Sequence, residues 1–113
     1  MSLDNVLYVD NKPLWVSAAR RVLKQDEFAL NVDTAIDAES AIKRIRKKSY
    51  DLVILDGLEG ECFAVIKDVT DIPHGAIVIF TTTPQVIARA SELKITCYNK
   101  LDGLSRIMSD YRK

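Results

Sequence analysis

The chain has 113 residues, 48% of them hydrophobic, and its 16 Lys and Arg are matched by 16 Asp and Glu. That length supports one hydrophobic core, so a single domain over residues 1–113 is expected, and the zero net charge removes the global electrostatic case for nucleic acid or an acidic membrane as a direct partner. Two cysteines and one histidine are too few for a disulfide framework or a Cys- or His-built metal site, which leaves carboxylates, hydroxyls and lysines to carry any chemistry.

Strand-like and helix-like patterns alternate five times along the chain. Val6-Leu7-Tyr8-Val9 is a short unbroken apolar run, the pattern of a strand buried on both faces. Leu14, Ala18, Ala19, Val22 and Leu23 then mark the apolar face of a first helix. Phe28, Leu30 and Val32 alternate with Ala29, Asn31 and Asp33, the pattern of an edge strand, and Ala38, Ala41, Ile42 and Ile45 mark a second helix. Leu52-Val53-Ile54-Leu55 is a second doubly buried strand, followed by a short helix carrying Phe63, Val65, Ile66 and Val69. Ile77-Val78-Ile79-Phe80 is a third such strand. Thr83-Pro84 after it suits an N-cap and first turn, with Ile87, Ala90 and Ser91 or Leu93 directed inward. Ile95-Thr96-Cys97-Tyr98 reads as the other edge strand. Leu104, Ile107, Met108 and Tyr111 close the chain at helical spacing, with Asp102 placed to cap.

Five β-α units predict a parallel sheet with right-handed crossovers and helices on both faces. With the second and fifth strands at the edges, the order is 2-1-3-4-5. This is a flavodoxin-like (βα)5 doubly wound α/β fold, and its ligand site lies at the C-terminal ends of the strands. The residues that end those strands are Asp10-Asn11, Asp56, Thr81 and, after the fifth, Lys100. Two carboxylates and an amide oxygen suit Mg²⁺, which keeps several waters and takes few protein ligands. A lysine and a threonine opposite a carboxylate suit a phosphoryl group, and an aspartate can itself be the nucleophile that accepts one.

At Val6-Leu7-Tyr8-Val9-Asp10-Asn11, Tyr50-Asp51-Leu52-Val53-Ile54-Leu55-Asp56, Ile77-Val78-Ile79-Phe80-Thr81 and Tyr98-Asn99-Lys100, the sequence resembles the receiver domain of two-component response regulators. The resemblance spans essentially the whole chain. It implies that Asp56 accepts the phosphoryl group, that Thr81 hydrogen-bonds it and that Lys100 ion-pairs with it. It also implies a Mg²⁺ site formed by Asp10, Asn11, Asp56 and the backbone carbonyl of Leu58. The implied donor is a phosphohistidine on a sensor histidine kinase or phosphotransfer protein, and the implied readout is a downstream protein partner or output domain. The expected domain is therefore a signalling module and not an enzyme. No apolar run approaches the roughly 18–20 residues of a membrane span. The N-terminal residues lack a signal-peptide pattern, so no membrane partner and a cytoplasmic location are expected.

The chain departs from the family pattern at several places. Asn11 stands where a second, directly ligating acid is usual, so Mg²⁺ binding is expected to be weak. Gly57-Leu58-Glu59-Gly60 lacks the usual proline, and Leu101 replaces another after Lys100. Cys97 occupies the aromatic-switch position, and Tyr98, one residue later, would face the opposite side of the sheet. These departures motivate an alternative, a pseudo-receiver that binds partners without being phosphorylated. An aspartyl-phosphate phosphatase would want an acid at position 58, where Leu stands. A nucleotide binder would want a glycine-rich loop where Asn11-Lys12-Pro13 stands. Asn11 also suits a helix N-cap. Lys43-Arg44-Ile45-Arg46-Lys47-Lys48 reads as a solvated helix end, Cys62 and Cys97 as core thiols, and His74 lies at the far end of the sheet.

Overall fold

A computed structural model describes residues 2–25 and 27–112. Its strands are β1 (Leu3–Val9), β2 (Ala29–Ala35), β3 (Leu52–Asp56), β4 (Ala76–Thr81) and β5 (Cys97–Asn99). The helices are α1 (Pro13–Gln25), α2 (Ala38–Lys47), α3 (Cys62–Asp68), α4 (Pro84–Glu92) and α5 (Ser105–Tyr111), with 3-10 turns at Leu58–Gly60 and Lys100–Asp102. All strand pairings are parallel, in the order β2-β1-β3-β4-β5. This is the expected doubly wound arrangement.

The period-2 alternation of the strands divides the interior into two cores. Val6, Tyr8, Ile54, Val78 and Phe80 face α1 and α5, where they meet Leu23, Ile107 and Met108. Leu7, Val9, Val53, Leu55 and Ile79 face the other way, toward Ile45 of α2, Val65 of α3 and Ala90 of α4. The central strands therefore read as unbroken apolar runs because both of their faces are covered. Register then fixes the level of the strand ends: Val9 lies beside Leu55, Asp56 beside Phe80, and Thr81 beside Asn99.

The differences from expectation fall at edges and helix ends. At β2, Phe28 and Val32 are buried as expected, together with Ala29 and Ala35, while Leu30 is exposed. Leu14 is 87% exposed, since α1 contacts the sheet through Ala19 and Leu23. Ala90 of α4 is buried as expected, but its buried companion is Val86 in place of Ile87 and Ser91 or Leu93. Asp102 does not cap α5; it ends the 3-10 turn, and its carbonyl accepts a hydrogen bond from the Ser105 hydroxyl. Asn11 is not the cap of α1 either. The helix starts at Pro13, and Lys12 contributes the carbonyl that accepts from Val16 N–H.

Candidate functional site

The aligned strand ends bring Asp10, Asp56, Thr81 and Lys100 together, and these four are the buried polar residues among the described positions. Lys100 is the hub. Its Nζ lies 2.6 Å from Asp10 Oδ2 and 2.7 Å from Asp56 Oδ1. The other oxygens of the two carboxylates are held by backbone: Asp10 Oδ1 accepts from Lys12 N–H at 3.0 Å, and Asp56 Oδ2 from Leu58 N–H at 3.0 Å. Taking three charges out of water costs several kcal/mol per ion. Only this close geometry and the added donors offset that cost.

Two features of the site went unread in the sequence. Tyr8 lies two residues before Asp10 on β1, hence on the same face, and its fully buried hydroxyl donates to Asp10 Oδ2 at 2.9 Å. Burial first, then the Asp10 charge and hydrogen bond, push the Tyr8 hydroxyl far above its ordinary value, so it stays protonated and remains a donor. The second feature is an aromatic wall. Lys100 Nζ sits 4.6 Å from the Trp15 ring centre and 5.8 Å from that of Phe80, and Phe80 packs edge-on against both Trp15 and Tyr8. A desolvated cation over an indole face gains up to about 2 kcal/mol. A tyrosine inside an otherwise apolar buried strand was the available signal, because its hydroxyl needs a partner there.

A pocket of about 620 Å³ opens above this cluster, walled by Asn11, Asp56, Leu58, Phe63, Thr81 and Lys100 among others. Asp56 is 7% exposed at its floor, whereas Asp10 has no exposed surface and lies beneath. Thr81 Oγ1 accepts from Thr83 N–H at 3.1 Å, leaving the hydroxyl proton to donate into the pocket. Gly57 leaves a tight fit beside it: a Cβ there would stand 3.0 Å from Thr81 Oγ1 and 3.3 Å from Val86, so those side chains would have to give by a few tenths of an ångström.

The positions expected to hold Mg²⁺ are arranged differently from an open ligand set. Every oxygen of Asp10 and Asp56 has a partner, and the Leu58 carbonyl accepts from Glu61 N–H at 3.0 Å within its turn. Asn11 is exposed at the pocket wall. Among the described residues there is no group of three or more His, Cys, Asp or Glu placed to hold a metal ion. A divalent cation at these acids would compete with Lys100 and, at Asp10 Oδ2, also with Tyr8, while each of the other three carboxylate oxygens carries a single partner.

Tyr98 turns away from this site. Its hydroxyl donates to Asp110 of α5 at 2.6 Å, while Cys97 packs in the opposite core. The one-residue offset therefore separates Tyr98 from Thr81. His74 is remote from the pocket wall, and most of the basic run is spent locally: Lys43 pairs with Glu39, Arg46 with Asp68, and Arg44 and Lys48 with Asp33.

No family model and no curated protein matches the sequence. Solved structures do. The isolated receiver domain of the response regulator RcsB from Salmonella enterica serovar Typhimurium, in its apo form, superposes with a TM-score of 0.74 at 21% identity, over 96% of this chain and 90% of that one. A CheY-like receiver domain from Methylobacillus flagellatus gives 0.75 at 19%, over 96% and 98%. The chain has the receiver-domain fold. In the RcsB–DNA complex the same fold covers 100% of this chain but only 63% of RcsB, with a TM-score of 0.73 and 19% identity. A de novo designed Rossmann 2x3 protein also matches, with a TM-score of 0.76 at 13% identity, over 98% and 94%. A receiver-like backbone is thus reached by a chain designed for its fold, so chemistry has to be argued from side chains.

Proposed function

We propose that this receiver fold serves as a signalling domain in which Asp56 accepts a phosphoryl group and partner affinity changes as a result. The observation that carries this reading is the convergence of Asp56, Lys100 and Thr81 at one open pocket, with the carboxylate reachable and the ammonium 2.7 Å away. A buried ion cluster adds little to stability compared with apolar residues of the same volume, so its presence asks for another reason. In the proposed transfer, an Asp56 oxygen forms a bond to phosphorus as the P–N bond of a donor phosphohistidine breaks, and the imidazole leaves with a proton. Lys100 moves its charge onto the phosphoryl oxygens, and the Thr81 hydroxyl donates to one of them. The donor belongs to a sensor histidine kinase or phosphotransfer protein. The domain is modified by the reaction and does not turn over a substrate. The readout is a downstream protein partner or an attached output domain.

A second reading has its own observation. The contacts that Asp10 and Asp56 already make with Lys100, Tyr8 and backbone N–H groups favour a resting state partly neutralised from within, as expected of an interaction module that works without phosphorylation. Incubation with a small phosphodonor, with and without Mg²⁺, followed by intact mass separates the two. A single phosphoryl adduct that disappears in Asp56→Asn supports the first reading. No adduct, under conditions that label an ordinary receiver, leaves the second.

A further inference from the structure

We propose that Tyr8 and Lys100 together close Asp10, the inner member of the acidic pair, to divalent cations, so that Lys100 is the resident cation of this site and Tyr8 is the positioning residue that orients Asp10 toward it. The inference concerns the resting domain and does not require Asp56 to be phosphorylated, so its failure and the failure of the phosphoacceptor reading are separate results.

Asp10 Oδ2 receives both the Tyr8 hydroxyl at 2.9 Å and Lys100 Nζ at 2.6 Å, and Oδ1 receives Lys12 N–H. A cation approaching from the pocket meets Lys100 before Asp10, because Asp10 lies fully buried beneath it. To reach Asp10 it must displace an ammonium that two carboxylates hold and that Trp15 and Phe80 flank. It must also turn away a tyrosine hydroxyl that has no water to rejoin. That hydroxyl is fixed by its ring, which is fully buried and packs edge-on against Phe80 at 6.4 Å between ring centres. Another oxygen of the expected set, the Leu58 carbonyl, is turned into the 3-10 turn: Leu58 and Glu59 have left-handed backbone at φ 49° and 56°, and the carbonyl accepts from Glu61 N–H. The absence of an acid at position 11 is thus one of several features that disfavour a metal, and Tyr8 is the one that can be removed without altering charge.

The test is Mg²⁺ binding to the whole chain, followed by calorimetry and by Trp15 emission, with KCl at equal ionic strength as the screening control. The wild type is expected to show no Mg²⁺-specific saturation in the submillimolar range. Tyr8→Phe keeps the ring and removes one hydrogen bond to a charged group, so affinity is expected to tighten about tenfold. A Tyr8 that merely fills space would leave affinity unchanged. Submillimolar binding by the wild type, or unchanged or weaker binding by Tyr8→Phe, overturns the proposal. Asn11→Asp, tested alone, covers the case in which Tyr8→Phe does not fold. Its gain is expected to stay below tenfold while Tyr8 and Lys100 hold Asp10; a gain of about tenfold or more would make the missing charge the whole cause and overturn the proposal.

Discussion

Asp10 and Asp56 end neighbouring strands and look alike in the sequence, yet their surroundings give them different work. Asp56 is at the floor of an open pocket; Asp10 is sealed beneath Lys100 and answers to Tyr8. Cys62 shows burial acting in the simplest way. It is fully buried, and burial first, with the Asp56 charge adding to it, pushes its thiol up to about 12 from an ordinary 9.0. Because the folded state raises this value, the neutral thiol's contribution to stability is complete below pH 9.0 and is lost as pH rises toward 12. Unfolding free energy should therefore fall through that window, and Cys62→Ala should fall less steeply in denaturant titrations at successive pH values. Equal slopes for the two proteins would remove Cys62 as the cause.

Among the elements, the junctions between strands are more demanding than the strands themselves. Gly75 leads into β4 against the start of β3: its N–H donates to the Tyr50 carbonyl at 2.8 Å, and a Cβ would stand 2.2 Å from the Asp51 carbonyl oxygen. That contact is backbone, which cannot swing aside as a side chain can. Gly75→Ala is expected to destabilise the fold by about 1–3 kcal/mol through forced backbone displacement. Equilibrium unfolding measures this directly, and a change under about 0.5 kcal/mol, the range of an indifferent surface substitution, would refute it. The same end of β3 is tied down by Asp51, whose carboxylate accepts from Asp4 and Asn5 N–H at the start of β1. On the outer side, Asp33 of β2 gathers Tyr50 at 2.7 Å and Lys48 at 3.1 Å. Burial pushes Asp33 up, but the hydrogen bonds from Tyr50 and Lys48 and the charges of Lys48 and Arg44 together outweigh it and hold the carboxyl below its ordinary value. The basic run at the C-terminal end of α2 is thus partly a clasp between α2 and the β2 edge. Composition alone made it a solvated helix end.

At the scale of the molecule, one sheet carries two cores, and β1, β3 and β4 contribute alternate residues to both. Neither core can open without stripping one face of those strands, so the domain should unfold as a single unit. Trp15 reports on the α1–α5 side, while far-ultraviolet dichroism reports on all helices, including the three on the other face. Their denaturation curves should superimpose; separated midpoints would show that the two layers are independent. The zero net charge likewise divides by place. Carboxylates gather at the strand ends, where Lys100 partly neutralises them, and cations gather along α2 and its C-terminal end.

What the sequence determined by itself was the layering. Unbroken apolar runs at β1, β3 and β4 require cover on both faces, weaker runs at β2 and β5 take the edges, and the order 2-1-3-4-5 follows with the strand-end residues of the site. Such local patterns are legible because each depends on spacing within one element. Tertiary structure decided how those residues use their bonds. Whether Asp10 offers its oxygens to an ion depends on Lys100, 90 positions away, and on Tyr8, whose ring is held by Phe80 from another strand. Leu58 placed its carbonyl in a turn through a left-handed backbone that no local preference of leucine or glutamate favours. Spacing places a side chain at the strand end. Which partner reaches it first is settled only when distant segments pack together and exclude the water that would otherwise take that place.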